Sequence, residues 1–431
     1  MEEKIKSIIS KENNGKTLIF SCKEEDIDKF LLSKSKNGSK FHIKNINENK
    51  SINKLSKKIK YIKRYPKIIL FFQIVFFILI SQVNSYQKRE LRHLNYESVI
   101  TLTIVDYGDG DGWHNILSDN TNDIPLPNTL KINGGYSTVN GKRYYFGYGT
   151  HQVEMIWDNA FSACRCMFQN VGNIKSINLA RFDFSSCTDL AFFFQNCWAL
   201  EYIDLSGGDA RNVKVMDNMF GDLHSLTSID FTNFKTRDLT SAQCMFLECD
   251  KIKYLDLSSF TTTSLTTLHQ MFHLCRALES IDISSFDTSN VVDFSLIFKE
   301  CNKLKFVDLS NFKTNSGNNM ADMFWNCYDL TSVDISSFNT ESTANMGHMF
   351  YECHSLKSLN LSHFKTPNVN FIDFMFYNCY SLEHLDVINF DTTKVTNYEH
   401  MFYNTYALTS LNLSNFIIYE NTNINNMIYN L

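Results

Sequence analysis

The stretch from Met323 to Thr340 reads MFWNCYDLTSVDISSFNT, and 26 residues later Met349 to Thr366 reads MFYECHSLKSLNLSHFKT. The second residue of this unit belongs to an apolar column with a strict 26-residue period: Phe168, Phe194, Phe220, Phe246, Phe272, Phe298, Phe324, Phe350, Phe376, Phe402 and Ile428. A fixed period of this length is typical of a solenoid, in which each coil buries its apolar edge against the next. Such a chain usually acts through a long exposed surface.

Each repeat contains two different apolar patterns. Phe294, Ile297, Phe298 and Cys301 follow the spacing i, i+3, i+4, i+7, which predicts a short helix. The run Ile281–Ser284 alternates apolar and polar residues, which predicts a strand with one buried face. The sequence therefore predicts an α/β fold: a leucine-rich-repeat solenoid of about ten 26-residue coils. Its parallel sheet is expected on one side, its short helices on the other, and a small β-rich cap at its N-terminal end.

A second phenylalanine column predicts that aromatic rings also fill the interior of the coils. Its members are Phe182, Phe234, Phe260, Phe286, Phe312, Phe338, Phe364, Phe390 and Phe416. Gly208 interrupts this column, and Phe184 stands where most coils have threonine. The glycine predicts a locally thinner core or a bend.

The unit MFxxCxxLxxLDLSxFxT, seen in both quoted stretches, closely resembles the 26-residue repeats of BspA-like leucine-rich-repeat surface proteins. The resemblance covers about residues 160–431, and the segment from Ile100 to Trp157 is similar to the region that precedes such repeats. It implies a surface location and a role in adhesion or partner binding. It implies no enzymatic activity.

Two polar columns are predicted to lie on the outward strand face and are our candidate binding residues. The acidic column comprises Asp204, Asp230, Asp256, Asp282, Asp308, Asp334 and Asp386, and the hydroxyl column includes Ser258, Ser284, Ser310 and Ser336. Neighbouring carboxylates repel one another, so cations or a ligand are one way to relieve the column. The alternative is that each carboxylate accepts hydrogen bonds from nearby serine or backbone groups. A further threonine column, from Thr236 to Thr392, is expected to cap turns and bond along the stack. The alternative for such regular hydroxyl columns is binding to a flat array such as ice or a glycan.

The cysteines suggest structure rather than chemistry. Cys197, Cys249, Cys275, Cys301, Cys327, Cys353 and Cys379 occupy one repeat position, which predicts a ladder of buried thiols. Disulfides between coils are the alternative, although parallel Cβ directions oppose the required dihedral angle. Cys164 and Cys166 form a CxC without a matching His or Cys cluster, so no metal site is predicted. No catalytic residue and no cofactor is predicted either.

The charge of the chain is unevenly distributed, with a net value of -5 and a lysine-rich N-terminal part. Residues 1–66 are predicted to be mostly disordered, residues 67–85 to form a signal-peptide core or signal anchor, residues 86–160 a linker and β-rich cap, and residues 161–431 the solenoid. Basic residues crowd the N-terminal side of the apolar run Ile68–Ile80. The positive-inside rule therefore predicts a cytoplasmic N-terminus and an exported repeat region.

These patterns predict a protein of the cell surface, either single-pass or secreted, that acts in adhesion or partner binding without catalysis. The expected partner is an extracellular protein or glycan on another cell or matrix. The membrane is a further partner through residues 67–83 if that segment is not cleaved. The weakly acidic balance argues against nucleic acid. A structural surface-coat protein and, less in keeping with the scattered histidines, a cation- or glycan-binding solenoid enzyme are the alternatives.

Overall fold

The computed structural model describes residues 97–108, 110–120 and 123–431, which belong to one compact unit. The predicted basic segment (1–66) and apolar segment (67–85) lie outside the described residues. The elements are β1 (Ser98–Asp106), β2 (Trp113–Asn115), β3 (Thr129–Ile132), β4 (Gly135–Ser137), β5 (Arg143–Tyr145), β6 (Gly149–Trp157), β7 (Ile174–Arg181), β8 (Tyr202–Asp204), β9 (Asp209–Ala210), β10 (Ser228–Asp230), β11 (Lys235–Thr236), β12 (Tyr254–Asp256), β13 (Ser280–Asp282), β14 (Phe306–Asp308), β15 (Ser332–Asp334), β16 (Ser358–Leu359) and β17 (His384–Leu385).

The first six strands precede the coils, and β7 joins the two parts. A seven-stranded sheet has the order β10-β8-β7-β1-β6-β3-β4. Strand β1 pairs antiparallel with both β6 and β7, whereas β7 pairs parallel with β8. Alternate residues of β1, including Ile100, Leu102 and Ile104, are fully buried because successive side chains of a strand point to opposite faces. The same sheet thus continues from the antiparallel part into the solenoid.

The coils stack in the predicted 26-residue register. Tyr254 pairs with Ser280 and Asp256 with Asp282, and the same offset relates β14 to β15 and β16 to β17. The middle residue of a coil strand, such as Val307, points into the core, and its two neighbours point outward. The solenoid has about eight turns, so the prediction of about ten was too high. The coil after β17, around Leu411, forms no strand and leaves its apolar residues partly exposed.

The prediction of an α/β fold with short helices was wrong: the described residues contain no helix, and the fold is a β-solenoid. The stripe from Phe294 to Cys301 forms successive tight turns, with Leu296 at φ 58° and Glu300 at φ 59°. The amide of Cys301 donates to the carbonyl of Phe298, three residues back. The amides of Phe294, Leu296, Phe298 and Glu300 instead donate to carbonyls of the next coil, at 2.7–3.0 Å.

This difference has a simple geometric cause. A tight turn every four residues places the same positions inward as a helix does, so the apolar spacing is compatible with both. An α-helix would satisfy these amides within its own segment. Here the neighbouring coil supplies the acceptors, and the left-handed residues needed for the turns recur throughout the repeats.

Two phenylalanine columns fill the interior. The rings of the first column stack face to face from Phe168 to Phe402, with successive centroids 5.0–5.9 Å apart. At the interruption of the second column, a Cβ on Gly208 would lie 2.8 Å from the Phe234 ring. The ring of Phe184 reaches across to Phe234, with centroids 6.0 Å apart. The Phe234 ring therefore lies against the backbone at Gly208, in the place that a side chain at that position would need.

Candidate binding surface

The predicted acidic column lies on the outward face of the coil strands, and each of its carboxylates has a structural partner. The amide of Ser258 donates to Oδ1 of Asp256 at 2.9 Å, and the amide of Ser310 donates to Oδ1 of Asp308 at the same distance. The equivalent bond, from the amide two residues on, is made at Asp204, Asp230, Asp282, Asp334 and Asp386. These carboxylates thus form the turn that ends each strand.

The serine hydroxyls reinforce this arrangement. Ser284 donates its hydroxyl to Oδ1 of Asp282 at 2.6 Å, and the bonds from its side chain and amide lower the pKa of Asp282. Hydrogen bonds from Ser336 lower the pKa of Asp334 in the same way. Asp282 and Asp334 therefore stay ionised well below neutral pH. The four predicted serines are all exposed.

The second carboxylate oxygen of most column members remains available. Oδ2 of Asp204 accepts a hydrogen bond from Asn178 at 2.6 Å. For Asp230, Asp256, Asp308 and Asp334, no protein donor to Oδ2 occurs among the described residues. An ionised carboxylate is an acceptor with room for several donors. The outward face thus presents an open acceptor on successive coils.

A feature that the sequence analysis missed lies directly beside this column. Tyr202, Tyr254 and Phe306 stand two residues before the aspartates, on the same outward face, with 40%, 65% and 50% of their surface exposed. Their in-register neighbours on the next coils are Ser228, Ser280 and Ser332. Between Tyr202 and Phe306, large exposed rings thus occur on every second coil. The signal was present as a 52-residue interval, twice the repeat, between Tyr202 and Tyr254 and again between Tyr254 and Phe306.

The threonine column lies inside, where it bonds successive coils together as the sequence predicted. The Thr314 hydroxyl donates to the carbonyl of Asn339 at 2.8 Å and accepts the amide of the same residue at 2.8 Å. Thr262, Thr288 and Thr340 make the same double contact with the residue 25 positions on. These buried hydroxyls form hydrogen bonds between coils and are not accessible to a ligand.

Replacing Thr314 by valine should lower the free energy of unfolding by about 2–3 kcal/mol, because the isosteric change leaves a buried amide and a buried carbonyl unpaired. Urea unfolding followed by circular dichroism measures the loss. Thr314→Ser keeps the hydroxyl, and Thr263→Val changes an exposed threonine. Both controls should stay within about 1 kcal/mol of the wild type. Equal stability of Thr314→Val and Thr263→Val would contradict the role of the buried hydroxyl.

The seven ladder cysteines are free and fully buried, as predicted. Each thiol donates to a phenylalanine carbonyl 29 residues earlier, as Cys327 does to Phe298 at 3.1 Å. Burial raises the pKa of Cys275 to about 12. Cys164, by contrast, forms a disulfide with Cys187, which the sequence analysis did not predict. The CxC spacing gave no hint of the bond, because the partner lies 23 residues away and outside the ladder.

The described residues offer neither a metal-binding cluster nor a membrane-spanning helix. No cluster of three or more His, Cys, Asp or Glu side chains suited to a metal ion occurs within residues 97–108, 110–120 and 123–431. Over the same residues no helix is long and apolar enough to cross a membrane.

Known proteins resemble this chain in its repeats. The family described as "Mycoplasma protein of unknown function, DUF285" matches residues 162–260, 245–358 and 329–431. A leucine-rich-repeat protein of Leptospira interrogans resembles it in structure with 13% sequence identity and a TM-score of 0.25, over 55% of this chain and 60% of that one. The chain thus spans less than two thirds of the solved structure, and no curated protein matches it. The BspA-like assignment stays a prediction. Because the three matches together cover residues 162–431, the chain belongs to the DUF285 repeat family.

Proposed function

We propose that this chain is a surface-displayed or secreted repeat protein that binds a partner through the outward strand face of its solenoid. The observation that carries the proposal is the contrast between the columns. The threonines, cysteines and phenylalanines of the interior are buried and make contacts between coils. The outward face combines exposed rings with carboxylate oxygens that have no protein donor among the described residues.

Two observations support an extracytoplasmic location. The Cys164–Cys187 disulfide is the kind of bond that forms and persists in oxidising compartments. The apolar run Ile68–Ile80 with its basic N-terminal flank supports export of the residues that follow it. The resemblance of the repeat unit to BspA-like proteins supports adhesion as the finer form of this function.

The proposal is tested with the full-length chain produced in a heterologous cell. Protease treatment of intact cells should digest the repeat region, and the cells should gain adhesion to neighbouring cells or matrix. The strand-face variant Tyr202→Ala/Tyr254→Ala/Phe306→Ala should lose that adhesion. The matched control is Phe371→Ala, which removes a ring of similar exposure, 52%, from another column. Adhesion that survives the triple variant would move the contact site away from the outward strand face, and protection from protease would exclude surface display.

A further inference from the structure

Three aromatic side chains on the outward strand face share an unusual spacing. Tyr202, Tyr254 and Phe306 occupy the same repeat position two coils apart, and serines occupy that position on the coils between them. Adjacent strands of a sheet lie about 4.8 Å apart, so successive rings are separated by about 9.6 Å along the solenoid. The small serines leave the space between the rings open.

The rings of this row are free to contact a ligand, unlike those of another aromatic row on the molecule. Tyr351, Tyr377 and Tyr403 stack on one another with centroids 4.7 and 5.0 Å apart, so each covers the face of its neighbour. Across the described residues, Tyr254 and Phe306 have no aromatic ring or cation stacked on them. Exposed rings aligned on one face can form an apolar surface of the kind that marks binding sites.

The charge beside the rings limits which ligands fit. Tyr202 lies close enough to Asp204 and Asp230 that, after burial, their charges raise its pKa. The Tyr254 hydroxyl lies 3.4 Å from Oε2 of Glu279. A strip of carboxylates repels nucleic acid and acidic polysaccharides, since like charges brought together cost free energy. It favours a neutral ligand that is rich in hydrogen-bond donors.

We propose that the outward strand face binds an extended neutral glycan that lies along the solenoid, with Tyr202, Tyr254 and Phe306 stacking on alternate sugar rings. This deepens the proposed function by naming its partner class, and it rests on that function. In a β-1,4-linked chain alternate sugars present the same face, so a two-coil spacing of about 9.6 Å suits one ring per disaccharide. Sugar hydroxyls would donate to Oδ2 of the neighbouring aspartates, the oxygens without a protein donor among the described residues.

A proline-rich peptide is the competing ligand, because its left-handed helix repeats about every 9.3 Å and docks on aromatic residues. Proline, however, has no backbone N–H, so such a peptide would bury the carboxylates without donating to them. A peptide in the β-conformation fits less well, since side chains on one of its faces recur about every 6.8 Å. The glycan, by contrast, matches the spacing of the aromatic rings and has hydroxyl groups that can donate to the aspartate oxygens.

Calorimetric titration of the full-length chain in detergent with cellohexaose and chitohexaose tests the proposal. We expect one or both to bind, and a trisaccharide, which reaches fewer rings, to bind about tenfold or more weakly. The triple variant Tyr202→Ala/Tyr254→Ala/Phe306→Ala should lose at least about tenfold in affinity, while Phe371→Ala and Tyr254→Phe bind as the wild type does. Circular dichroism verifies that each variant is folded.

The outcomes separate this inference from the function on which it rests. If neither hexasaccharide binds, or if both bind the triple variant as well as the wild type, the glycan proposal is wrong. If polyproline binds instead and the same three rings are required, the ligand is a peptide and the surface still binds a partner. If the triple variant leaves cell adhesion intact, the proposed function itself fails for this face, whatever the sugars do.

Discussion

Replacing Phe324 by alanine should lower the free energy of unfolding by about 3–5 kcal/mol, the usual cost of removing a buried aromatic side chain. The ring is fully buried and stacks between Phe298 and Phe350, with centroids 5.6 and 5.4 Å away. Its loss leaves a cavity between two stacked rings that are held in place by the hydrogen bonds of their own coils. Little relaxation can close that cavity, so the loss of unfolding free energy should be near the upper end of this range.

Hydrogen exchange measured by mass spectrometry locates the effect better than a single melting temperature, because coils of a solenoid unfold in part independently. Peptides around Phe298 and Phe350 should exchange faster in the alanine variant, and peptides around Phe194 should change least. Phe324→Leu fills most of the volume and should lose about 1–2 kcal/mol. Uniform acceleration along the whole chain would show that the coils unfold as one unit and contradict the local origin of the loss.

The 26-residue period was enough to predict the stacking, the Phe324 column and the burial of the ladder thiols. Each of these follows from translation: once coils repeat without insertion, equal positions must lie above one another. The same reasoning placed the aspartates on the outward face, because alternation along a strand fixes which residues point away from the core.

The prediction of short helices was wrong because the sequence pattern indicates which residues point inward but not which acceptor each backbone amide uses. Phe294, Leu296 and Phe298 donate to the neighbouring coil, and nothing in a single repeat signals that choice. The residues with positive φ are the closest to a signal. Many are asparagine, such as Asn326 at φ 59° and Asn378 at φ 56°, which adopts this conformation more readily than most residues.

Features that depend on two or more coils were also missed. The Cys164–Cys187 bond joins positions that share no place in the repeat. The packing at Gly208 was predicted from that position alone, whereas it depends on the Phe234 ring, which contacts Phe184 in turn. The exposed rings follow a period of two coils, so they are not part of the pattern that every coil shares. Departures from the repeat are informative only when compared with the coils above and below.

Raising the pH above about 9 should lower the free energy of unfolding of the solenoid by more than any single substitution does. Seven thiols are fully buried, and burial raises the pKa of each, to about 12 for Cys275 and Cys379. In the unfolded chain a thiol ionises near pH 8.5, as it does in model peptides. Because the folded pKa is the higher one, the contribution to stability is complete below the unfolded pKa and is lost as the pH rises towards the folded value.

The expected slope follows from the number of thiols. Each thiol costs about 1.4 kcal/mol per pH unit once its unfolded form is ionised. The slope therefore grows with the number of coils that unfold together, and it reaches on the order of 10 kcal/mol per unit where all seven do. That is comparable with the whole stability of a typical domain, so unfolding should be complete within about a unit or two of its onset. Urea titrations at several pH values between about 8 and 10.5 measure the slope.

A variant of the thiol ladder separates this cause from the ionisation of lysines and tyrosines. Cys301→Ala/Cys327→Ala/Cys353→Ala removes three of the seven thiols, and its small cavities lower stability by a constant amount at every pH. The slope of unfolding free energy against pH should therefore fall by roughly two fifths, while the value near pH 7 drops by only a few kcal/mol. Equal slopes for the variant and the wild type would mean that these thiols do not set the alkaline limit. A reduced slope would tie that limit to the same stacking that buries one cysteine in each coil of the ladder.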